Sequence, residues 1–205
     1  MAQLYYQGHA SIRITTNSGV VIYYDPYAGD GYELPADLIL VTHQHQDHNK
    51  IELPARAADC VVYQNTDALK DGIYQKTTIH GVEIEATEAY NKNHPRESCV
   101  GYLLRVDGVL LYLAGDTSMT DQMRSGDLAA RHIDYAFLPI DGQYNMDVNE
   151  AIACADLIKA RHTVPMHMTF DGIFDRKIAE KLKVPGQLII AAGEEIDLSA
   201  PSTCA

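Results

Sequence analysis

The sequence predicts an α/β fold that begins with short strands and ends with strands and helices in alternation. Three observations lead to this prediction. Short β-rich runs separated by turn residues fill the first part of the chain. Asp107-Gly108 stands between two apolar runs, as the turn of a hairpin does. From Asp134 onward, strand-like runs alternate with helical periodicity. At 205 residues, 46% of them hydrophobic, the chain can bury a substantial core, so we expect one domain over residues 1–205.

The first part is expected to form a meander that leads into a buried strand over 38–41. Asn17-Ser18-Gly19 suits a hairpin turn, and Asp25-Pro26 ends the third strand because proline has no backbone donor. We expect short helices or turns at 54–58 and 66–70. The other expected strands lie at 4–6, 11–15, 20–24, 60–63 and 81–86.

The second part opens with a hairpin of strands at 99–106 and 109–114. Asp147 and Glu150 have the spacing of a capping box, with Asp147 as N-cap and Glu150 bonding back to it. Apolar residues recur behind them at helical spacing, so one face of this helix is expected to pack on a sheet. The remaining expected elements are strands at 135–140, 162–166 and 187–190 and a helix at 176–183.

Composition argues against several partners. Acidic residues outnumber basic ones by 28 to 16, a net charge of −12, whereas nucleic acids and anionic membranes require a basic surface. The beginning of the chain lacks the pattern of a signal peptide, and no apolar run approaches the ~20 residues of a membrane span. The four cysteines form no CxxC pair, so we expect reduced thiols and a cytoplasmic location.

Residues 38–48 contain the strongest functional signal. An apolar run and Thr42 lead directly into His43, His45, Asp47 and His48. Side chains two apart in extended backbone share a face, so His43 and His45 can hold one ion while Asp47 and His48 point towards a second. Imidazole and carboxylate suit Zn, Fe or Mn, and no nearby thiolate suggests a closed structural site. The alternative is a His-rich surface loop.

Three later residues stand beside strand-like runs and could complete such a site. His94 precedes the run at 99–106, Asp116 follows the run at 109–114, and His167 follows the run at 162–166. A two-metal hydrolase needs ligands from more than one loop, since each ion takes about four or more ligands. The alternatives are a helix cap or turn carboxylate for Asp116 and a packed strand histidine for His167.

Together these motifs resemble the metallo-β-lactamase superfamily, nearest to its ascorbate-6-phosphate lactonase-like members and related metal-dependent hydrolases. The resemblance implies a four-layer αββα sandwich with the metal site at its rim. It spans the chain from the Gly8-His9 turn to His167. Besides the HxHxDH motif, the matching phrases lie at 8–11, 25–26, 98–102, 115–117, 138–142 and 165–167.

The resemblance also implies a ligand set. His43, His45 and His94 would bind one divalent metal, and Asp116 would bridge it to a second one bound by Asp47, His48 and His167. Zn or Mn is expected, and Fe and Ni also suit these ligands. Asp116 would hold the pair together, and Asp47 would orient a metal-bridged hydroxide while binding metal.

The function implied is hydrolysis of an ester-type bond in a small-molecule substrate, either a lactone or a phosphorylated or acidic metabolite. Neither nucleic acid nor membrane is expected as a partner, and a homo-oligomer is left open. Two alternatives remain. One is a phosphodiesterase or nuclease, which would need a basic arm for nucleic acid. The other is a non-catalytic metal-binding protein.

Some residues near the motifs have open roles. His9 and Asp25 could each bond the outer nitrogen of a metal-binding histidine, or could each be a turn residue. Arg96, Tyr144 and Asn145 could contact substrate, with a solvated loop as the alternative.

Two departures from the superfamily are visible. Residues 94–98 lack the Gly- and Ser-rich phrase of true β-lactamases, and Asp141 replaces a glycine that related hydrolases usually carry.

Overall fold

Two six-stranded sheets packed face to face dominate the structure, a computed structural model that describes residues 1–199; Cys204 lies outside these residues. The first sheet has the order β14-β1-β2-β3-β4-β5 and the second the order β13-β12-β11-β10-β9-β8. The first contains β1 (Gln3–Gly8), β2 (Ser11–Thr15), β3 (Val21–Tyr24), β4 (Ala36–Val41), β5 (Arg56–Gln64) and β14 (Glu195–Asp197). The second contains β8 (Lys76–Ile79), β9 (Val82–Glu88), β10 (Val100–Val106), β11 (Val109–Leu113), β12 (Tyr135–Pro139) and β13 (His162–Met166).

The remaining elements are small. A two-stranded ribbon is formed by β6 (Leu69–Lys70) and β7 (Ile73–Tyr74). The helices are α1 (Asn65–Ala68), α2 (Asp121–Ser125), α3 (Asp127–Ala130), α4 (Val148–Ile158) and α5 (Arg176–Ala179). Within residues 1–199, no helix combines the length and the apolar character that crossing a bilayer requires.

The main core lies between the two sheets. Fully buried side chains from both inner faces pack there, among them Tyr24 and Leu40 from the first sheet and Tyr102 and Phe137 from the second. The hydroxyl of Tyr102 also donates a hydrogen bond to the backbone oxygen of Val41, at 3.0 Å. This bond joins the two sheets immediately before the His-rich segment.

Different segments cover the two outer faces. A second core packs α4 and side chains of α2 and α3 on the outer face of the second sheet, through residues such as Met123, Leu128 and Cys154. On the first sheet, the partly buried Tyr32, Leu34 and Ile51 pack against a third apolar cluster; all three lie outside helices and strands. The layered α/β sandwich predicted from the sequence is confirmed.

Several local predictions were wrong for identifiable reasons. Glu150 does not bond back to Asp147; its Oε1 accepts from the backbone N–H of Met119 instead, at 2.8 Å. The Ala-rich segment 54–58 leads into the edge strand β5, because pairing with β4 overrides its helical propensity. Residues 187–190 make only one bridge, Thr163 to Gln187, before the chain turns to pair with β1 as β14.

The strand directions bring polar residues to one rim. β1, β3 and β4 run the same way in the first sheet, as do β9, β11, β12 and β13 in the second. Ligand sites in open α/β sheets form beyond the carboxyl ends of such strands. The residues that follow these ends are His9 (β1), Asp25 (β3), His43 (β4), His94 (β9), Asp116 (β11), Asp141 (β12) and His167 (β13).

Candidate metal centre

The rim gathers the predicted site residues into two adjoining groups. In the first, the ligand atoms of His43, His45 and His94 lie within 4.8 Å of one another. Nε2 of His94 is 3.1 Å from Nδ1 of His45. In the second, the same limit holds for His9, Asp47, His48 and His167. The structure therefore brings together the residues of each predicted half-site and adds His9 to the second.

Asp116 lies between the two groups. Its Oδ1 is 3.3 Å from Nε2 of His48, and its Oδ2 is 3.6 Å from Nε2 of His94 and 3.5 Å from Nε2 of His167. The Asp116 side chain is 4% exposed. A carboxylate that faces imidazoles of both groups from a buried position has the location that a bridging ligand requires.

Asp25 and Thr42 orient the imidazoles on the first sheet. The Asp25 carboxylate accepts from the backbone N–H and the hydroxyl of Thr42, at 2.8 and 2.7 Å, and is 2.8 Å from Nδ1 of His48. The same Thr42 hydroxyl oxygen is 3.0 Å from Nδ1 of His43. With a proton on each Nδ1, both imidazoles turn the Nε2 lone pair towards the rim. Asp25 thus bonds the outer nitrogen of His48, one of the two roles considered for it from the sequence. The same role of Thr42 towards His43 was not predicted.

Five buried atoms of the site residues have no hydrogen-bond partner within the described residues. One, Nδ1 of His167, faces Asp141 at 3.4 Å, and the other four face the centre. They are Nε2 of His43, His48 and His167 and Oδ1 of Asp116. Leaving a buried polar group unsatisfied costs about 1–3 kcal/mol, so four such atoms in one place indicate a missing partner. Imidazole and carboxylate atoms at this spacing fit divalent cations.

The electrostatics of the centre favour a cation. Burial, reinforced by the charge of His48, lowers the pKa of His43 to about 2, so this imidazole stays neutral. Burial opposes ionisation of Asp116, but four imidazoles outweigh it and lower the pKa of the carboxyl. Burial also opposes protonation of His48, yet Asp116 and Asp25 outweigh it and raise its pKa to about 9. A cation would bind neutral His43 and ionised Asp116 and displace the proton of His48.

Two histidines at the rim, His9 and His167, share an uncommon backbone conformation and are joined by a backbone hydrogen bond. His9 and His167 have φ values of 56° and 44°, in the left-handed region. The N–H of His167 donates to the backbone oxygen of His9 at 2.7 Å, and the N–H of His9 donates to that of Ile173 at 2.6 Å. Such conformations persist where surrounding structure enforces them. The side chain of His9 faces Oδ2 of Asp47 at 3.3 Å and does not bond the outer nitrogen of another histidine.

The three candidates for substrate contact have different positions. Tyr144 lines the cavity at the centre. Asn145 is buried and bonds to neighbouring loops. Arg96 pairs with Glu88 and Asp121 and stacks on Tyr90, 3.9 Å from the ring centroid. Arg96 therefore has the alternative role, that of a solvated loop residue.

A chain of polar side chains links the outer nitrogens of His94 and His167. Oδ1 of Asn91 is 2.9 Å from Nδ1 of His94, and its amide donates to Oδ1 of Asn145 at 2.8 Å. The Asn145 amide donates to Oδ2 of Asp141 at 2.8 Å, which lies 3.4 Å from Nδ1 of His167. Asn91 and the contact role of Asp141 were missed because no local motif marks either residue.

Replacing Asp141 by asparagine is expected to lower metal affinity or kcat/KM by roughly 10–100-fold. The retained oxygen can still accept from the N–H groups of residues 143–145, while the new amide faces Nδ1 of His167 in place of a carboxylate. Calorimetric metal titration and steady-state kinetics measure the effect. Asp107→Asn is the control, because Asp107 accepts the backbone N–H of Asn17 in the turn before β11, at the opposite end of that strand from the rim. Equal effects in both variants would contradict the assignment.

A cavity of about 250 Å³ opens onto the centre. Two of the metal-site candidates on its wall are accessible: His45 is exposed, and the Asp47 side chain is 31% exposed. Pockets for drug-sized ligands measure about 300–1,000 Å³, so this cavity suits a small molecule. It is lined by His45, Asp47, Asn93, His94, Asp116, Tyr144, His167 and Phe170.

Known proteins share this sequence and fold. Residues 3–167 match a family described as a beta-lactamase superfamily domain. The chain is 32% identical to the UPF0173 metal-dependent hydrolase of Thermococcus kodakarensis, over 97% of this chain and 100% of that protein. A crystal structure from Parabacteroides distasonis, described as a metal-dependent hydrolase, has a TM-score of 0.74 at 30% identity and covers 91% of both chains. A metallo hydrolase from Ignicoccus hospitalis has the same fold, with a TM-score of 0.75 at 23% identity over 97% of this chain and 99% of that one.

The chain therefore belongs to the beta-lactamase superfamily, in its metal-dependent branch. Within that superfamily it is a member of the UPF0173 family of metal-dependent hydrolases. The resemblance inferred from the sequence motifs is confirmed at this level.

Proposed function

We propose that this hydrolase holds two divalent cations at the rim and cleaves an ester-type bond, such as that of a lactone, in a small molecule. The proposal rests chiefly on the four unpartnered atoms of His43, His48, His167 and Asp116. Their position beside a small, open cavity supports a catalytic centre over a purely structural metal site, which is closed to solvent.

The proposed ligands are those implied by the sequence. His43, His45 and His94 would hold one cation, Asp47, His48 and His167 the other, and Asp116 would contact both. Bound cations of this kind lower the pKa of water and polarise the bond that is to be cleaved. Zn or Mn is the metal we propose, because the ligands combine imidazole with carboxylate.

Asp47 is suited to orienting the attacking water. Its burial opposes ionisation, but the nearby imidazoles of His167, at 3.8 Å, and His9, at 3.3 Å, outweigh that effect and lower the pKa of the carboxyl. An effective general base has a pKa near the working pH. Asp47 therefore stays ionised and is suited to accepting a hydrogen bond from the attacking water. It is poorly suited to taking up the proton that this water loses.

Metal removal and replacement tests the function. The purified protein is stripped with a chelator, reconstituted with Zn or Mn, and assayed with a panel of lactones, carboxylic esters and phosphodiesters. We expect no turnover by the stripped protein, restored turnover of lactones or esters, and two cations per chain by elemental analysis. Preference for phosphodiesters would favour the alternative activity, and no turnover by the reconstituted protein would favour a non-catalytic one.

A histidine pair provides the control for this assay. His45→Ala removes a proposed ligand and is expected to lower the metal content. His80→Ala removes a histidine in the turn between β8 and β9, where Nε2 lies 3.2 Å from the backbone oxygen of Asp59. The second variant should keep the metal content and activity of the natural protein.

A further inference from the structure

We propose that the substrate is an uncharged ester or lactone with an apolar substituent, and that Phe170 and Tyr144 bind this substituent. The inference rests on the proposed function and names its substrate class. It depends on two features of the cavity: an aromatic wall on one side, and a lining without Lys or Arg.

Phe170 is an exposed aromatic residue held in place beside the centre. This residue is 59% exposed, and Ile173, on the same loop after β13, is 39% exposed. Two hydrogen bonds hold the backbone of this loop. Gly172 donates its N–H to the hydroxyl of Thr169 within the loop, at 2.9 Å, and Ile173 accepts from the N–H of His9 outside it. Exposed apolar surface that is fixed beside a cavity usually marks a binding site.

Tyr144 extends this surface from the opposite loop. Its ring centroid is 5.3 Å from that of Phe170, with the planes tilted by 38°. Its backbone N–H donates to Asp141 at 2.7 Å, and its backbone oxygen accepts from the Asn93 amide at 3.1 Å. The two rings therefore form one aromatic wall on loops held by hydrogen bonds, and aromatic side chains lose little conformational entropy when they bury an apolar group.

The cavity offers no Lys or Arg side chain to an anionic substituent. None of its lining residues is Lys or Arg, and the acidic ones are Asp47 and Asp116. Three cationic residues lie near the lining residues in sequence. Arg96 pairs with Glu88 and Asp121, and Lys50 lies over the ring of Tyr27 at 4.6 Å. Lys92, next to Asn93, is exposed and is not part of the lining. A phosphate or carboxylate placed at the aromatic wall, away from the proposed cations, would lose its hydration without gaining a partner. Among the substrates implied by the sequence, this observation favours the uncharged ones.

The test compares γ-lactones with unbranched alkyl substituents of increasing length against matched lactones that end in phosphate or carboxylate. With the metal-reconstituted protein, kcat/KM should rise by about fourfold per buried CH₂ until the wall is covered. The anionic lactones should be poorer substrates than alkyl lactones of the same length. A flat chain-length series, or preference for the anionic lactones, would overturn the inference and leave the hydrolase function intact.

Variants of Phe170 and Tyr144 test whether the dependence on alkyl chain length arises at these two residues. Phe170→Ala and Tyr144→Ala should flatten the chain-length dependence mainly through KM, whereas Tyr144→Phe should retain it. Ile73→Ala is the matched control, because Ile73 is 66% exposed on β7 and lies outside the cavity lining. Calorimetric titration with 2-alkylcyclopentanones, which have no ester bond, should show the same order of binding. An undiminished dependence in both alanine variants would refute the aromatic wall; absence of any turnover would refute the proposed function as well.

Discussion

Replacing Asp116 by asparagine is expected to abolish hydrolysis, with kcat/KM lower by at least about 10³-fold, or about 4 kcal/mol of transition-state stabilisation. Asparagine has nearly the same shape but no charge. The change removes the only carboxylate that faces Nε2 of His48, His94 and His167 at 3.3–3.6 Å within the described residues. Both proposed half-sites lose a ligand, so metal content should fall as well.

Elemental analysis and steady-state kinetics check this expectation together. Asp134→Asn is the control: Asp134 is 4% exposed against 3% for Asp116, and it accepts the backbone N–H of Leu110 at 2.9 Å. The control variant should retain its metal and most of its activity. An Asp116→Asn variant that kept two cations and more than a tenth of the activity would exclude a bridging role.

The parts of this molecule that are visible in the sequence are those with a local signal. Residues 38–41 of β4 form a continuous apolar run, and the four metal-site candidates that follow it lie within six residues of one another, so periodicity and spacing place them without knowledge of the fold. The hairpin at Asp107-Gly108 is visible for the same reason, because its turn chemistry lies within two residues. The strand ends then place His94, Asp116 and His167 near the rim.

The supporting residues have no such signal. Thr42, Asn91 and Asp141 are single polar residues whose function depends on partners in other loops, such as Asn145 for Asn91. Phe170 is informative only because it stays exposed beside a cavity, which sequence cannot show. The missed strand β14 is three residues long at a sheet edge and contains two acidic residues. Pairing with β1, and not its own propensity, makes it a strand.

Replacing Asp25 is expected to separate the stability of the fold from the binding of metal. Asp25 is fully buried, and its carboxylate satisfies the N–H and hydroxyl of Thr42 and Nδ1 of His48. Asp25→Ala leaves these groups unpaired in the interior, and removing one partner of a buried charged network costs about 3–5 kcal/mol. Urea unfolding of the metal-free proteins should show this loss in the free energy of unfolding.

Asp25→Asn should keep most of that stability and lose metal affinity by roughly 10–100-fold. The amide oxygen must accept the Thr42 N–H, so the amide nitrogen takes the place of Oδ2 and donates to its neighbours. Nδ1 of His48 then has to accept, which moves the imidazole proton to Nε2, the atom that faces the rim. The Thr42 hydroxyl, no longer able to donate to residue 25, is free to donate to Nδ1 of His43 and shift its proton in the same way.

Nitrogen NMR of the two imidazoles reports the tautomers directly, and calorimetric titration with Zn reports the affinity. Asp37→Asn is the matched control, since Asp37 also accepts a backbone N–H, that of Val21 at 2.7 Å, but touches no imidazole of the site. If Asp25→Asn kept the His43 and His48 tautomers and the Zn affinity of the unsubstituted protein, Asp25 would only support the fold. Shifted tautomers with a stable fold would show that one buried carboxylate sets the direction in which both histidines present their lone pairs.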